Sequence, residues 1–129
     1  MTPEAARFLE KAHKLLAEAA AMQGINLHDA AGRTAYLAGF HAAQALIFER
    51  TGRTRKTHNG VQTEFLRLTR DGAEIEPTLR MFLSQAYNLK AIADYETGPT
   101  AEVSPERAAD AIEAGRRFVT RIAETIGGR

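Results

Sequence analysis

Between Arg50 and Thr63 the sequence carries four fixed positive charges, Arg50, Arg53, Arg55 and Lys56, and no acid. His58 stands near the end of this run, followed by Asn59 and Gly60. Arginine can give two parallel hydrogen bonds to a phosphate, and lysine adds a point charge. Histidine is the side chain whose ordinary pKa lies near neutrality, so it can move a proton or donate to an anion. If Asn59-Gly60 opens a helix, its free backbone N–H groups would add an anion-binding end. The run therefore has the composition of a phosphate or RNA site, with Arg50, Arg55, Lys56 and Asn59 as binding candidates. On residue types alone a solvated surface loop and a histidine that merely caps a helix are equally open.

Other residues with chemical potential are less well placed. His13, beside Lys14, is expected on an exposed helix face. His28 falls in a turn near a helix start. His41 follows Phe40 and is expected to line the interior or an interface between subunits. These three histidines form no evident metal set with carboxylates, and no metal or cofactor is expected. Asp94 and Tyr95 are read as a helix-end hydrogen bond and a buried ring. Cysteine is absent, which excludes disulfides, thiolate metal sites and a thiol nucleophile.

The elements that must position these residues are helical. Thr2 and Pro3 open a first helix over residues 3–23, with Phe8, Ala12, Leu15, Leu16 and Ala19 on one face and Gly24 as its stop. A second helix over about Asp29–Thr51 carries Tyr36, Phe40, Ala43 and Ile47 as a stripe among many alanines, and Gly52 closes it. The basic segment, residues 53–60, lacks apolar periodicity and is a loop. A short third helix turns Val61, Phe65 and Leu68 inward, and Asp71-Gly72 is a turn signal. A fourth helix over about Glu76–Tyr95 presents Leu79, Phe82, Leu83, Ala86, Leu89 and Ala93. Glu96 to Thr100 breaks it. Ser104-Pro105-Glu106 opens a fifth, with Ala108, Ala111, Ile112, Gly115, Val119 and Ile122 inward and a frayed tail from about residue 126.

No segment alternates with the period of a strand. The expected fold is all-α, an up-and-down bundle of four to five helices forming one domain over residues 1–129. The composition agrees, with 44% hydrophobic and 26% charged residues and no Trp. A core built from Ala, Leu and Ile favours close helix packing. The net charge of +1 says little by itself, so the local basic run is what points to an anion. The acid near the N-terminus and the lack of a long apolar run lead us to expect a soluble, cytoplasmic protein.

Three segments resemble the HEPN (higher eukaryotes and prokaryotes nucleotide-binding) family. Ala35-Tyr36-Leu37-Ala38-Gly39-Phe40-His41-Ala42-Ala43-Gln44-Ala45-Leu46 resembles its second-helix signature. Lys56-Thr57-His58-Asn59-Gly60-Val61 resembles the following segment in one bacterial and archaeal branch, and Ala93-Asp94-Tyr95 resembles a third recurrent element. They occur in the family's order.

The resemblance implies a helical bundle, usually a homodimer. In many members it also implies a metal-independent ribonuclease whose motif is an Arg, four to six residues, then His. Arg53 and His58 match that motif. The His would be general acid or base at the ribose hydroxyl or the leaving oxygen, and the Arg would stabilise charge on the phosphate, with two copies meeting across a cleft. Bacterial members often act as toxins paired with a small nucleotidyltransferase antitoxin. The sequence departs at Thr54, where the family often has Asn, Asp or His. It departs again at Gly60, where some toxins carry a tyrosine that their partner modifies. The resemblance also admits a non-catalytic module that binds a nucleotide, RNA or a nucleotidyltransferase.

Overall fold

Six helices account for the fold in the computed structural model, which describes residues 1–71, 74–98 and 102–127. They are α1 (Pro3–Gly24), α2 (His28–Thr51), α3 (His58–Leu68), the single turn α4 (Pro77–Arg80), α5 (Phe82–Tyr95) and α6 (Pro105–Ile126). There is no strand among the described residues. Gly72 of the expected turn, Pro99 and Thr100 of the expected helix break, and Gly128-Arg129 of the expected tail lie outside them. No helix is long and apolar enough to cross a membrane among the described residues.

The architecture is an all-α bundle wrapped around α2. This helix packs against α1, α3, α5 and α6. An ordinary surface helix buries one stripe, but α2 buries residues on all sides, including Ala31, Ala35, Ala38, Ala42 and Ala45. Small side chains make that possible, because neighbouring backbones can come close. Gly39 is the tightest point. A Cβ built there would lie 2.2 Å from Phe82 Cε2. Phe82 in turn stacks on Phe118 of α6, with ring centroids 5.0 Å apart. Gly115 faces the same ring from α6, its notional Cβ 3.4 Å from Phe82 Cζ. One aromatic ring thus fills the space that two glycines leave, and burial of such side chains dominates the stability of the bundle.

The helix boundaries follow from local chemistry. Thr2 caps α1 by accepting from Ala5 N–H at 3.1 Å, and Ser104 caps α6 by accepting from Arg107 N–H at 3.1 Å. Gly52, with φ of 74°, ends α2 as expected. α1 ends at Gly24, but the glycine is not the left-handed residue. It is the last helical residue, and the chain reverses at Asn26, whose φ is 66°. Asparagine tolerates this left-handed conformation, so the left-handed position lies two residues beyond the glycine.

The expected fourth helix is broken in two. Pro77 starts α4, and Met81, with φ −86° and ψ −3°, interrupts the run before α5. Arg80 explains the break, because its side chain ties α4 back to the end of α3. It donates to Thr69 Oγ1 at 3.0 Å and to the Leu66 carbonyl at 2.9 Å. Leu79 and Phe82 both turn inward while Met81 faces solvent.

Candidate functional site

His58 is the first residue of α3, and Thr57 is the N-cap. The Thr57 hydroxyl accepts from Gly60 N–H at 2.9 Å. The expectation that Asn59-Gly60 opens the helix with free donors is therefore corrected. The helix starts one residue earlier, and the Gly60 N–H is already used by the cap. Gly60 also has little room for a side chain, since a Cβ there would lie 3.0 Å from Thr57 Oγ1 and 3.4 Å from Arg55 Cβ. Its lack of a tyrosine is thus built into the cap.

The imidazole of His58 turns towards α2 and α5. Its Nδ1 lies 2.8 Å from the hydroxyl of Tyr36. Its ring stacks on Tyr87, with centroids 3.9 Å apart and planes 23° apart. Tyr36 and Tyr87 meet edge to face at 5.5 Å. Burial and the neighbouring Tyr87 raise the Tyr36 phenol well above its usual range, so it stays protonated. Burial lowers the His58 pKa below the ordinary 6.5; a hydrogen bond with Gln62 opposes this, and the Lys90 charge adds to it. His58 is therefore neutral near pH 7, held at Nδ1 by Tyr36, with Gln62 as a second partner of the ring.

Lys90 extends the cluster along α5. Its ammonium is 6.0 Å from the Tyr87 ring centre and 5.1 Å from that of Tyr95. It also pairs with Asp94 at 2.7 Å, and Asp94 pairs with Arg33 of α2 at 2.7 Å. The helix-end hydrogen bond expected of Asp94 is thus a double ion pair, whose hydrogen bond to Lys90 holds the Asp94 carboxyl below its usual range. The buried ring expected of Tyr95 is corrected. It is 72% exposed at the last residue of α5, and no helix among the described residues covers it.

The basic loop is sorted by acids that its own sequence lacks. Arg50 pairs with Glu74 at 3.2 Å, and Arg55 approaches Glu64 at 3.7 Å. Glu64 is buried and also binds Arg67 at 2.6 Å. Hydrogen bonding to Arg67 holds its carboxyl below the usual range. Arg53 and Lys56 are exposed, and neither side chain makes an ion pair or hydrogen bond among the described residues. No such bond joins Arg53 to His58 within the chain. Asn59 is exposed as well.

Gln44 fixes this loop, a role the sequence signalled only as a lone amide inside an apolar helix. It is buried in α2, accepts from Arg55 N–H at 3.1 Å, and donates to the Arg55 carbonyl. Gln44→Ala is expected to cost about 1–3 kcal/mol, because it leaves the Arg55 backbone groups unpaired. Hydrogen exchange should then accelerate in residues 53–57 and leave the α1–α2 core protected. Unchanged exchange in the loop would refute this anchoring.

The sequence marked Tyr36 as part of an apolar stripe and of the second-helix signature, and gave no role to Arg33, Tyr87 or Lys90. The i, i+4 spacing of Lys90 and Asp94 was the available signal. Of the remaining histidines, His13 is exposed and His28 Nδ1 lies 2.9 Å from Gln23 Oε1. His41 is half-buried beside Phe8, and burial followed by the Lys11 charge lowers its pKa. Glu10 and His13 stand at a metal-like spacing on α1, but both are exposed and no third ligand joins them. No cluster of three candidate ligands occurs among the described residues.

The three segments of the sequence resemblance thus converge on one place, through Tyr36, His58 and Asp94. Known proteins share the fold and the family. The crystal structure of TT1696 from Thermus thermophilus superposes with a TM-score of 0.81 at 20% identity, over 95% of this chain and 98% of that one. A Methanocaldococcus jannaschii protein provisionally named as a toxin, MJ0142, is 26% identical over 118 residues, which are 92% of this chain and 78% of its own. The HEPN domain family model matches residues 5–125.

Proposed function

The chain belongs to the HEPN domain family, and on that footing we propose that it is a toxin-type protein that cleaves RNA without a metal, through His58 and Arg53. The observation that carries this reading is the sorting of the basic loop. Arg50 and Arg55 are engaged by Glu74 and Glu64, which leaves Arg53 as the arginine with an uncommitted guanidinium. His58 is meanwhile held through its Nδ1 by Tyr36, which fixes the direction of its ring.

A phenol hydroxyl both donates and accepts, so Tyr36 supports either tautomer of a neutral imidazole. With the proton on Nδ1, Nε2 is a base for the ribose 2′-hydroxyl. With the proton on Nε2, it donates to a phosphoryl oxygen or leaving group. Arg53 would stabilise the charge that gathers on the phosphate. Arg50, Arg55, Lys56 and Asn59 would bind the strand, with Lys56 contributing most because it is unpaired.

Because Arg53 does not meet His58 in one chain, the site would be completed by a second copy. A homodimer with two loops facing each other across a cleft satisfies this. A small nucleotidyltransferase is the antitoxin expected for such a toxin, and the name of the Methanocaldococcus relative supports the toxin half of the reading. The mixing experiment is decisive. Arg53→Ala and His58→Ala chains should each be inactive on RNA in the presence of EDTA. Their co-refolded mixture should recover up to about a quarter of wild-type activity, because some mixed dimers hold one intact pair. No recovery would eliminate the composite site.

One observation favours a second reading, a module that binds RNA or nucleotide without cutting it. Where the protonated Tyr36 donates to Nδ1, the imidazole proton sits on Nε2. Such a ring hydrogen-bonds an anion but cannot take a proton. Salt-sensitive RNA binding without any His58-dependent cleavage would establish it.

A further inference from the structure

We propose that the exposed side of α5 is a stacking subsite for single-stranded RNA, in which Tyr95 receives a base and Lys90 meets the adjoining phosphate. The proposal rests on the RNA reading above and specifies the form of substrate which that site takes.

Tyr95 is 72% exposed and ends α5 with its ring uncovered. An uncovered aromatic face offers a base a stacking partner, and any base fits it because every base has a π-face. Lys90 lies within cation–π reach of both tyrosines, at 6.0 Å from Tyr87 and 5.1 Å from Tyr95. Its place is fixed by Asp94, which also holds Arg33. The two cations on one carboxylate leave a net positive charge already in position, so a phosphate need not order two long side chains.

The row has a direction. Tyr87 and Tyr95 are eight residues apart on α5, or roughly 12 Å along the axis. Tyr87 carries the His58 imidazole on its face at 3.9 Å. Glu96, next after Tyr95, puts a carboxylate at the far end and disfavours phosphate there. A strand stacked on Tyr95 would therefore run past Lys90 towards His58.

The chemistry excludes two other occupants. Duplex RNA keeps its base faces inside the helix and has none to give Tyr95. An apolar protein surface would need a contiguous apolar patch, whereas Lys90 lies by this ring and Asp94 and Glu96 flank Tyr95 in sequence.

The test uses uncleavable 2′-O-methyl RNA decamers labelled with fluorescein, single-stranded or as blunt duplexes, with binding read by anisotropy at fixed salt. Tyr95→Ala is expected to weaken single-strand binding by roughly 5- to 150-fold, the range for loss of one stacked base. Tyr95→Phe should bind like wild type, and duplex should bind all three forms alike and more weakly. Equal single-strand affinity of wild type and Tyr95→Ala would overturn the subsite, as would equal losses on single strand and duplex. Cleavage is scored separately on unmodified RNA. If His58→Ala abolishes cleavage while Tyr95→Ala changes neither affinity nor KM, only the subsite fails. If Tyr95→Ala weakens binding but no form cleaves RNA, only the catalytic reading fails.

Discussion

His58→Ala is expected to remove RNA cleavage, with a loss of about 10²–10⁴-fold in rate, the usual worth of a positioned acid or base. Cells expressing the variant should grow where those expressing the wild type stop, and their RNA should stay intact. The pH profile makes the assignment sharper. Burial and the Lys90 charge lower the His58 pKa, so the folded ring stays neutral at pH values where a free imidazole has begun to take a proton. If neutral His58 is the base, kcat/KM stays level as pH falls to the ordinary imidazole value of 6.5 and drops only below it. For Nε2 to be the base, the Tyr36 hydroxyl must accept from Nδ1–H, so Tyr36→Phe removes the partner that sets this tautomer and should lower the rate. An acid limb at or above 6.5 in the wild type would count against His58 as the base. Growth arrest equal to wild type by the His58→Ala variant would refute the ribonuclease reading outright.

The second large effect lies far from the loop. Gly39→Val is expected to destabilise the protein by about 3 kcal/mol or more, at the upper end of what overpacking costs. The reason is geometric. Even a Cβ would stand 2.2 Å from the Phe82 ring, and that ring cannot retreat because it stacks on Phe118 and faces Gly115. For a chain of this size the melting temperature should fall by about 10 °C or more. Thermal denaturation measures it, and Phe82→Leu in the Gly39→Val background should restore part of the loss by opening the space. A Gly39→Val protein as stable as wild type would show that α2 and α5 can move apart freely. Because α2 carries Tyr36 and α5 carries Tyr87, the same change should disturb the His58 cage.

The all-helical class of the protein, and the places where most helices begin, are legible in the amino-acid order. Thr2, Pro3, Ser104, Pro105 and Gly52 act through local hydrogen bonds and allowed dihedrals, so nearby residues suffice to predict them. The apolar faces of α1 and α6 were legible for the same reason, since each has one neighbour side. The α4–α5 break was not, because Arg80 reaches across to Thr69 and Leu66, and such a bond depends on how two helices meet. Gly24 marked the end of α1, although the left-handed position fell on Asn26.

The candidate site divides along the same line. The residue types of the basic loop, and its histidine, were legible as a place for anions. Which arginine is uncommitted was not, since Glu64 and Glu74 lie outside the loop and reach it only through folding. The loop that looked free of acids has two of its four cations paired. His58, a solitary residue in the sequence, becomes a neutral imidazole fixed between Tyr36 and Tyr87 because three helices converge on it. Charge pairing, burial and aromatic contact are properties of neighbours in space, so they come into being only when the helices pack.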